Sequence, residues 1–161
     1  MKYYFLMFIV INITFFSCNK IHYNKNTENT SSNEVMPKEL FYNYFSIVLP
    51  EIYEIELYRG PDFRVFHIDT DDKAIGGIYL GNYPSSVIKN GKYVKDFKSI
   101  ILKELADWKI YNTENYYISE IIISGKMNWA SKIHFWFLGR TIEEIEQNIL
   151  LFSKIEWNEK L

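Results

Sequence analysis

The chain lacks three features that would narrow its chemistry: paired cysteines, an excess of one charge and a long apolar run. Cys18 is the only cysteine, so no disulfide can form within the chain. Lysine and arginine total 18 and acidic residues total 20, which gives a formal charge of −2. Such a balance supplies no basic surface for phosphates, and we expect no nucleic-acid partner.

The longest apolar run is too short to span a bilayer. It extends over about 14 residues from Tyr3 to Phe16, whereas a spanning helix needs about 20. Lys2 supplies a positive charge before the run. A positive start followed by an apolar core of this length is typical of a signal peptide, which we predict over residues 1–17.

The run ends in Phe15-Phe16-Ser17-Cys18, which resembles the lipobox of bacterial lipoproteins. In that family a small residue precedes a cysteine whose thiol receives a diacylglyceryl group before cleavage, and the new N-terminal amine is then acylated. Ser17 and Cys18 match these two positions, while Phe15 and Phe16 are bulkier than the usual residues. The resemblance implies that Cys18 is the lipid attachment site. An uncleaved membrane anchor and plain secretion are the alternatives.

Residues 18–38 are predicted to be a tether, and residues 39–161 a single domain. Asn, Thr, Ser, Lys and Glu dominate residues 19–34, and such a composition cannot bury enough apolar area to offset the entropy of ordering. Asn19 stands where Asp would favour retention in the inner membrane. The expected location is the bacterial cell envelope, on the periplasmic face of the outer membrane.

Alternation of apolar and polar residues predicts most of the domain to be strands. The predicted strands cover residues 45–49, 53–58, 63–69, 74–80, 108–111, 116–124 and 131–138. Gly76 and Gly77 fall inside the fourth of these strands. Glycine within a strand indicates a bulge or a close backbone approach.

Two segments have the apolar spacing of an amphipathic helix. The first is predicted over residues 94–106, where the apolar residues Val94, Phe97, Ile101 and Leu105 recur three and four positions apart. The second begins at Thr141-Ile142-Glu143-Glu144, a capping box in which the Thr hydroxyl and the Glu144 carboxylate each satisfy a free amide. Its apolar face is predicted to comprise Ile142, Ile145, Ile149 and Phe152.

These elements predict an α+β fold, a twisted antiparallel sheet packed by two amphipathic helices. The FSIVLP opening at 45–50, the middle hairpins and the closing EQNILLFSKIEW at 146–157 resemble the PsbP-like fold. That resemblance implies an α-β-α sandwich with a binding or scaffolding role. It carries no catalytic residues.

No catalytic set can be assembled from the sequence. Ser85 and Ser86 lack the glycines of a nucleophile elbow, and His134 lies in an apolar strand, where a packed histidine is the common outcome. Gly76-Gly77 is not followed by the Lys-Ser/Thr of a phosphate loop. We therefore predict that the chain is not an enzyme and needs no cofactor.

One acidic turn is a weak candidate for a metal site. His67 and Asp69 are two positions apart on a predicted strand and so share a face, and Asp71 and Asp72 follow. Carboxylate oxygens suit calcium, but the remaining ligands of an EF-hand are missing. A solvated turn is the alternative.

Aromatic residues make up 18% of the chain, and several fall at strand ends or in loops. They form an exposed recognition patch or, alternatively, cap the core. These six are Tyr79, Tyr83, Trp108, Tyr116, Tyr117 and Trp129. The predicted function is a lipid-anchored envelope protein with a non-catalytic protein-binding domain, for example an immunity protein against a toxin delivered to the periplasm. A small-ligand or calcium-binding lipoprotein is the alternative.

Overall fold

The computed structural model describes residues 38–41 and 44–158, which form ten strands and one helix. Cys18, the predicted signal peptide and all but the end of the predicted tether lie outside the described residues. In chain order the elements are β1 (Lys38–Phe41), β2 (Phe45–Leu49), β3 (Tyr53–Arg59), β4 (Arg64–Thr70), β5 (Lys73–Gly81), β6 (Lys92–Ile101), β7 (Glu104–Asn112), β8 (Tyr117–Met127), β9 (Ala130–Gly139), α1 (Ile142–Phe152) and β10 (Glu156–Trp157).

Seven strands form one antiparallel sheet in the order β3-β4-β5-β9-β8-β7-β6. The sheet consists of two meanders, β3 to β5 and β6 to β9, which are joined where β5 pairs with β9. β1, β2 and β10 form a second, smaller antiparallel sheet in the order β1-β2-β10. The segment 82–91 connects β5, in the middle of the large sheet, to β6 at its edge.

The core lies on one face of the large sheet, beneath the small sheet and α1. The rings of Phe45 in β2 and Phe66 in β4 are 6.5 Å apart, which places the small sheet over β4. Phe152 of α1 lies 5.0 Å from Phe137 of β9 between ring centroids, so the helix covers the same face. We call this the inner face and the opposite one the outer face.

The prediction of an α+β fold, with two helices in an α-β-α sandwich, is wrong. The described part of the chain is mostly β and contains the single helix α1. Residues 94–106 belong instead to the β6–β7 hairpin, whose turn residues Leu102 and Lys103 have φ values of 50° and 68°. Positive φ at both turn residues matches the right-handed twist of a two-residue hairpin.

A buried serine conceals the strand pattern of this hairpin. Phe97, Ser99 and Ile101 alternate toward the inner face, and the Ser99 hydroxyl accepts a hydrogen bond of 2.8 Å from Nε1 of Trp108. Because the middle residue is polar, the apolar residues on either side are left with helix-like spacings. Leu105, assigned to the helix face, is 73% exposed on β7.

The other predicted elements agree with the structure. The strands predicted at 45–49, 53–58, 63–69, 74–80, 116–124 and 131–138 are confirmed with bounds shifted by up to three residues, and 108–111 falls within β7. The predicted second helix is confirmed as α1, which begins after Thr141. Its residues Ile145, Ile149 and Phe152 are buried.

The predicted capping box forms with one difference. The Thr141 hydroxyl accepts a hydrogen bond of 3.2 Å from the Glu144 amide. The Glu144 carboxylate accepts from the amide of Arg140, at 2.6 Å, which is one residue before the predicted donor. Both groups therefore satisfy backbone donors at the helix start.

The surroundings of Gly76 confirm both expectations for a glycine within a strand, a bulge and a close backbone approach. β5 carries one extra residue, Ile75, between the partners of Ile68 and Asp69, which is a bulge. A Cβ atom on Gly76 would lie only 2.1 Å from the carbonyl oxygen of Trp136, so β5 and β9 approach closely here. No helix in residues 38–41 and 44–158 is long and apolar enough to cross a membrane.

Candidate functional surfaces

The segment 82–91, which we call the crossing segment, lies over the outer face of the large sheet. It passes β9, β8 and β7 to reach β6, a span of four strand spacings or about 19 Å. Ten residues of extended chain reach about 33 Å, so the segment has length to spare. At its start the side-chain amide of Asn82 donates to the Trp129 carbonyl oxygen at 3.1 Å, and Oδ1 of Asn82 accepts from the Ser131 amide at 3.0 Å.

One carboxylate of β8 attaches the middle of the crossing segment. Oε1 of Glu120 in β8 accepts a hydrogen bond from the Ser86 hydroxyl. Oε2 accepts from the amide of Val87 at 2.8 Å and lies 3.0 Å from Nε2 of His134 in β9. The His134 residue is 2% exposed, so the imidazole is almost fully enclosed.

The surroundings of His134 favour its neutral form. Burial lowers the pKa of His134, because a charged imidazolium loses its hydration, and the Glu120 carboxylate opposes this shift without cancelling it. An ionised carboxylate only accepts hydrogen bonds, so Nε2 of His134 carries the proton in this contact. The Glu120 carboxylate is thus an anion surrounded by three donors: the neutral imidazole of His134 and two groups of the crossing segment.

The geometry does not pair a nucleophile with a base. A serine is activated when its hydroxyl is hydrogen-bonded to an imidazole. Here Ser86 donates to Glu120, and Glu120 stands between Ser86 and His134. The arrangement fixes the position of the crossing segment. Sequence reasoning did not identify Glu120, because it lies 34 residues from Ser86 and 14 from His134, so no local pattern connects them.

A row of rings extends from this cluster to the edge of the sheet. Between ring centroids, Tyr58 and His67 are 5.1 Å apart, His67 and Trp136 6.0 Å, and Trp136 and His134 5.4 Å. Gly77 makes room for the indole, since a Cβ there would lie 2.2 Å from Cζ2 of Trp136. The rings of Tyr58, His67 and Trp136 thus form a continuous aromatic row on the outer face, and the row ends at the buried ring of His134.

Acidic side chains flank the β3 end of this row. Glu54 of β3 is the direct cross-strand partner of Asp69 in β4, and Glu56 is the partner of His67. Glu56 accepts a hydrogen bond of 2.8 Å from the Tyr58 hydroxyl. We call Glu54, Glu56 and Asp69 the acidic edge.

The three candidate metal ligands do not converge on one point. Asp69 lies on the outer face of β4, and burial raises its pKa. His67 opposes this upward shift, whereas Glu56 and Glu54 reinforce it. Asp71 and Asp72 lie in the β4–β5 turn, where hydrogen bonding from the Thr70 hydroxyl lowers the pKa of Asp72. Among the residues that the structure describes, no group of three or more His, Cys, Asp or Glu is placed to hold a metal ion.

A cleft of about 320 Å³ separates the β4–β5 turn from α1. The Lys73 ammonium forms an ion pair there with the Glu144 carboxylate, and this bond lowers the pKa of Glu144. Burial raises the pKa of the Tyr53 phenol in the same wall. Asp71 and Asp72 lie at the cleft, so sequence and structure both place acidic groups there.

The six aromatic residues considered for a recognition patch are divided between core and surface. Trp108 is fully buried, whereas Tyr83 is 81% exposed. Trp129, at the β8–β9 turn, lies 5.5 Å from the ring of Tyr44 and 5.2 Å from the Arg64 guanidinium. Tyr79 stacks on Phe63, Tyr117 is half-buried, and Tyr116 is exposed.

Comparisons with models of protein families, with curated proteins and with solved structures give no match. The surfaces are therefore interpreted from the chemistry of this chain. The outer face supplies aromatic and acidic groups, and the cleft beside α1 supplies a paired lysine and two aspartates.

Proposed function

We propose that the chain is a lipid-anchored bacterial envelope protein whose domain binds another protein and catalyses no reaction. The aromatic row on the outer face, bordered by the acidic edge, is the observation that supports this most. Tyr and Trp are enriched where proteins meet, because a rigid ring offers a large contact area with a polar tip. The carboxylates add charge that can select a partner.

The anchor in this proposal is the lipid on Cys18. Lys38, the start of β1, lies twenty positions after Cys18, and a chain of that length spans at most about 70 Å. Each methylene buried in the bilayer contributes about 0.8 kcal/mol, so several acyl chains hold firmly. The domain then works close to the membrane, on the periplasmic face of the outer membrane in this proposal.

An immunity protein is the specific version that we favour. Such a protein is stationed at the membrane and binds a toxin delivered into the periplasm, which requires a partner surface and no active site. Affinity capture from detergent-solubilised membranes tests it. We expect the wild-type chain to retain one protein partner through a high-salt wash. An excess of the free domain should release that partner by competition. Failure to capture any protein would contradict the proposal.

The anchor has a separate test. Radiolabelled palmitate is expected to enter the wild-type chain and not the Cys18→Ser variant, which should leave the membrane fraction. The matched control is Ser17→Ala, which keeps the thiol and a small preceding residue. A mature protein with an unmodified cysteine would overturn the envelope assignment.

A second candidate function is the binding of a small ligand or calcium. The cleft beside α1, with Asp71 and Asp72 at its wall, is the observation that favours it. Calorimetry with calcium, and thermal shifts with lipids and sugars, separate the two functions. A saturable signal that is lost in Asp71→Asn/Asp72→Asn would favour the second function.

A further inference from the structure

Asn148 is a polar residue on the buried side of α1. It is only 5% exposed, and the other buried residues of the helix are Ile145, Ile149 and Phe152. Its Nδ2 donates a hydrogen bond of 2.8 Å to the carbonyl oxygen of Leu138 in β9. Because a carbonyl oxygen can only accept, this contact fixes which end of the amide is the nitrogen and which is the oxygen, Oδ1.

The amide oxygen of Asn148 receives no hydrogen bond from the described part of the chain. Every fully buried side-chain nitrogen and oxygen in the same residues has a partner, so Oδ1 is not fully buried. Asn148 borders the cleft between α1 and the β4–β5 turn, which is where its narrow exposed side opens. A polar atom in such surroundings is costly to leave unpaired, and a molecule that enters the cleft can donate to it.

Two further polar groups of the cleft are available to a bound molecule. The Tyr53 phenol lies in the wall near Lys73 and Glu144, and its hydroxyl makes no hydrogen bond within the described ranges. The Asp71 carboxylate, in the β4–β5 turn, likewise accepts none from residues that the structure describes. Lys73, by contrast, is already paired with Glu144. The carboxylate and the Asn148 oxygen only accept, whereas the phenol both donates and accepts.

These groups suit an uncharged ligand that carries several hydroxyls. Asp71 and Asp72 repel an anion, and no three metal-ligating side chains of the described residues converge, which favours a molecule over calcium. Ile52 and Ile75 add apolar surface to the same wall. A sugar matches this mixture, because its hydroxyls donate and accept while its ring carbons contact apolar side chains. The cleft volume of about 320 Å³ lies at the lower end of the range for small-molecule sites, roughly 300–1,000 Å³.

We propose that the cleft beside α1 binds one small sugar. Two sugar hydroxyls donate to Oδ1 of Asn148 and to the Asp71 carboxylate, and a third is hydrogen-bonded to the Tyr53 phenol. The Leu138 carbonyl already holds the Asn148 amide in place, so ordering this side chain costs little when the ligand binds. This inference rests on the second candidate function, because it names the ligand class of the same cleft, and it is independent of a protein partner on the outer face.

Glucose, galactose, mannose and N-acetylglucosamine are the probes, each titrated into the full-length chain in micelles of a detergent without a sugar headgroup. We expect saturable binding of at least one sugar by calorimetry, with an affinity that changes little with salt because the ligand is neutral. Tyr53→Phe removes only a hydroxyl and should weaken binding about fivefold, and Asp71→Ala should weaken it about tenfold. The matched control is Tyr93→Phe, because Tyr93 is a 51% exposed tyrosine of β6 outside the cleft, and its affinity should equal that of wild type. Thermal unfolding without sugar confirms that the variants are folded.

The side-chain amide of Asn148 reports on the contact directly. In an NMR titration, its Nδ2 resonances and the backbone amides of residues 70–73 should shift with the dissociation constant that calorimetry gives. The indole N–H of Trp136, on the outer face, should not shift.

Three results would overturn the sugar site. The first is the absence of a saturable signal with all four sugars, and the second is equal affinity of Tyr53→Phe, Asp71→Ala and Tyr93→Phe. The third is an unshifted Asn148 amide at saturation, which would place the sugar elsewhere. If calcium, methylammonium or a lipid saturates the chain and no sugar does, the inference fails while the second candidate function stands. If none of these probes binds, both fail, and the proposed protein-binding function is unaffected.

Discussion

Replacing Glu120 by alanine is the most informative perturbation of this fold. The carboxylate receives hydrogen bonds from Ser86, Val87 and His134, and so connects the crossing segment to β8 and β9. No other residue described above joins these three parts of the chain. The substitution removes the acceptor and leaves the strand alternation intact.

The expected loss follows from the three contacts. Ser86 and Val87 return to water when the segment lifts, at a net cost of about 1 kcal/mol for each hydrogen bond. The buried Nε2–H of His134 is left without its acceptor, which costs about 1–3 kcal/mol more. We therefore expect Glu120→Ala to lower the free energy of unfolding by about 3–5 kcal/mol.

Urea denaturation and hydrogen exchange measure the two parts of this effect. The midpoint should fall with an unchanged slope, and amides in residues 82–91 should exchange faster than those of β9. Glu114→Ala is the matched control, because Glu114 is an exposed glutamate in the β7–β8 turn, and should cost under about 0.5 kcal/mol. If the two variants are equally stable, the crossing segment is not held by Glu120 and the reasoning is refuted.

Three further predictions concern other positions. Because burial lowers the pKa of His134, the unfolded chain binds a proton more readily than the folded chain. The urea midpoint should therefore fall as pH drops below about 6.5, and His134→Asn should flatten this fall. A pH-independent midpoint in wild type would contradict that. Gly76→Ala should lower the free energy of unfolding in urea by at least about 2 kcal/mol, because its Cβ would meet the Trp136 carbonyl. Gly125→Ala tests a second close approach by the same measurement. Lys103→Gly should raise the thermal midpoint by relieving a positive φ, with a gain of up to about 1 kcal/mol, and a lower midpoint would count against strain there.

Local signals in the sequence predicted the elements that depend on neighbouring residues. Thr141 and Glu144 are three positions apart, and their contacts with the helix start need no other part of the chain. The alternation in β2, β4 and β9 is also local. By contrast, the turn at Leu102-Lys103 has positive φ without the Gly or Asn that usually marks it, so no turn signal separated β6 from β7.

The candidate surfaces depended on contacts that sequence spacing does not reveal. Ser99 resembled an interruption of an apolar pattern because its partner, Trp108, lies on the next strand. Glu120 gained its role only when the sheet brought β8 beside β9 beneath the crossing segment. The acidic edge likewise required the register that sets Glu54 against Asp69.

The length of the crossing segment also determines whether one molecule can supply all seven strands of its own large sheet. β5 and β9 join the two meanders, and residues 82–91 must bridge about 19 Å for both meanders to come from one chain. Fewer than about six residues cannot cover that distance, so a deletion of five or more would leave each molecule to accept the first meander of another. A domain-swapped dimer with every strand pair preserved is the expected product of such a deletion.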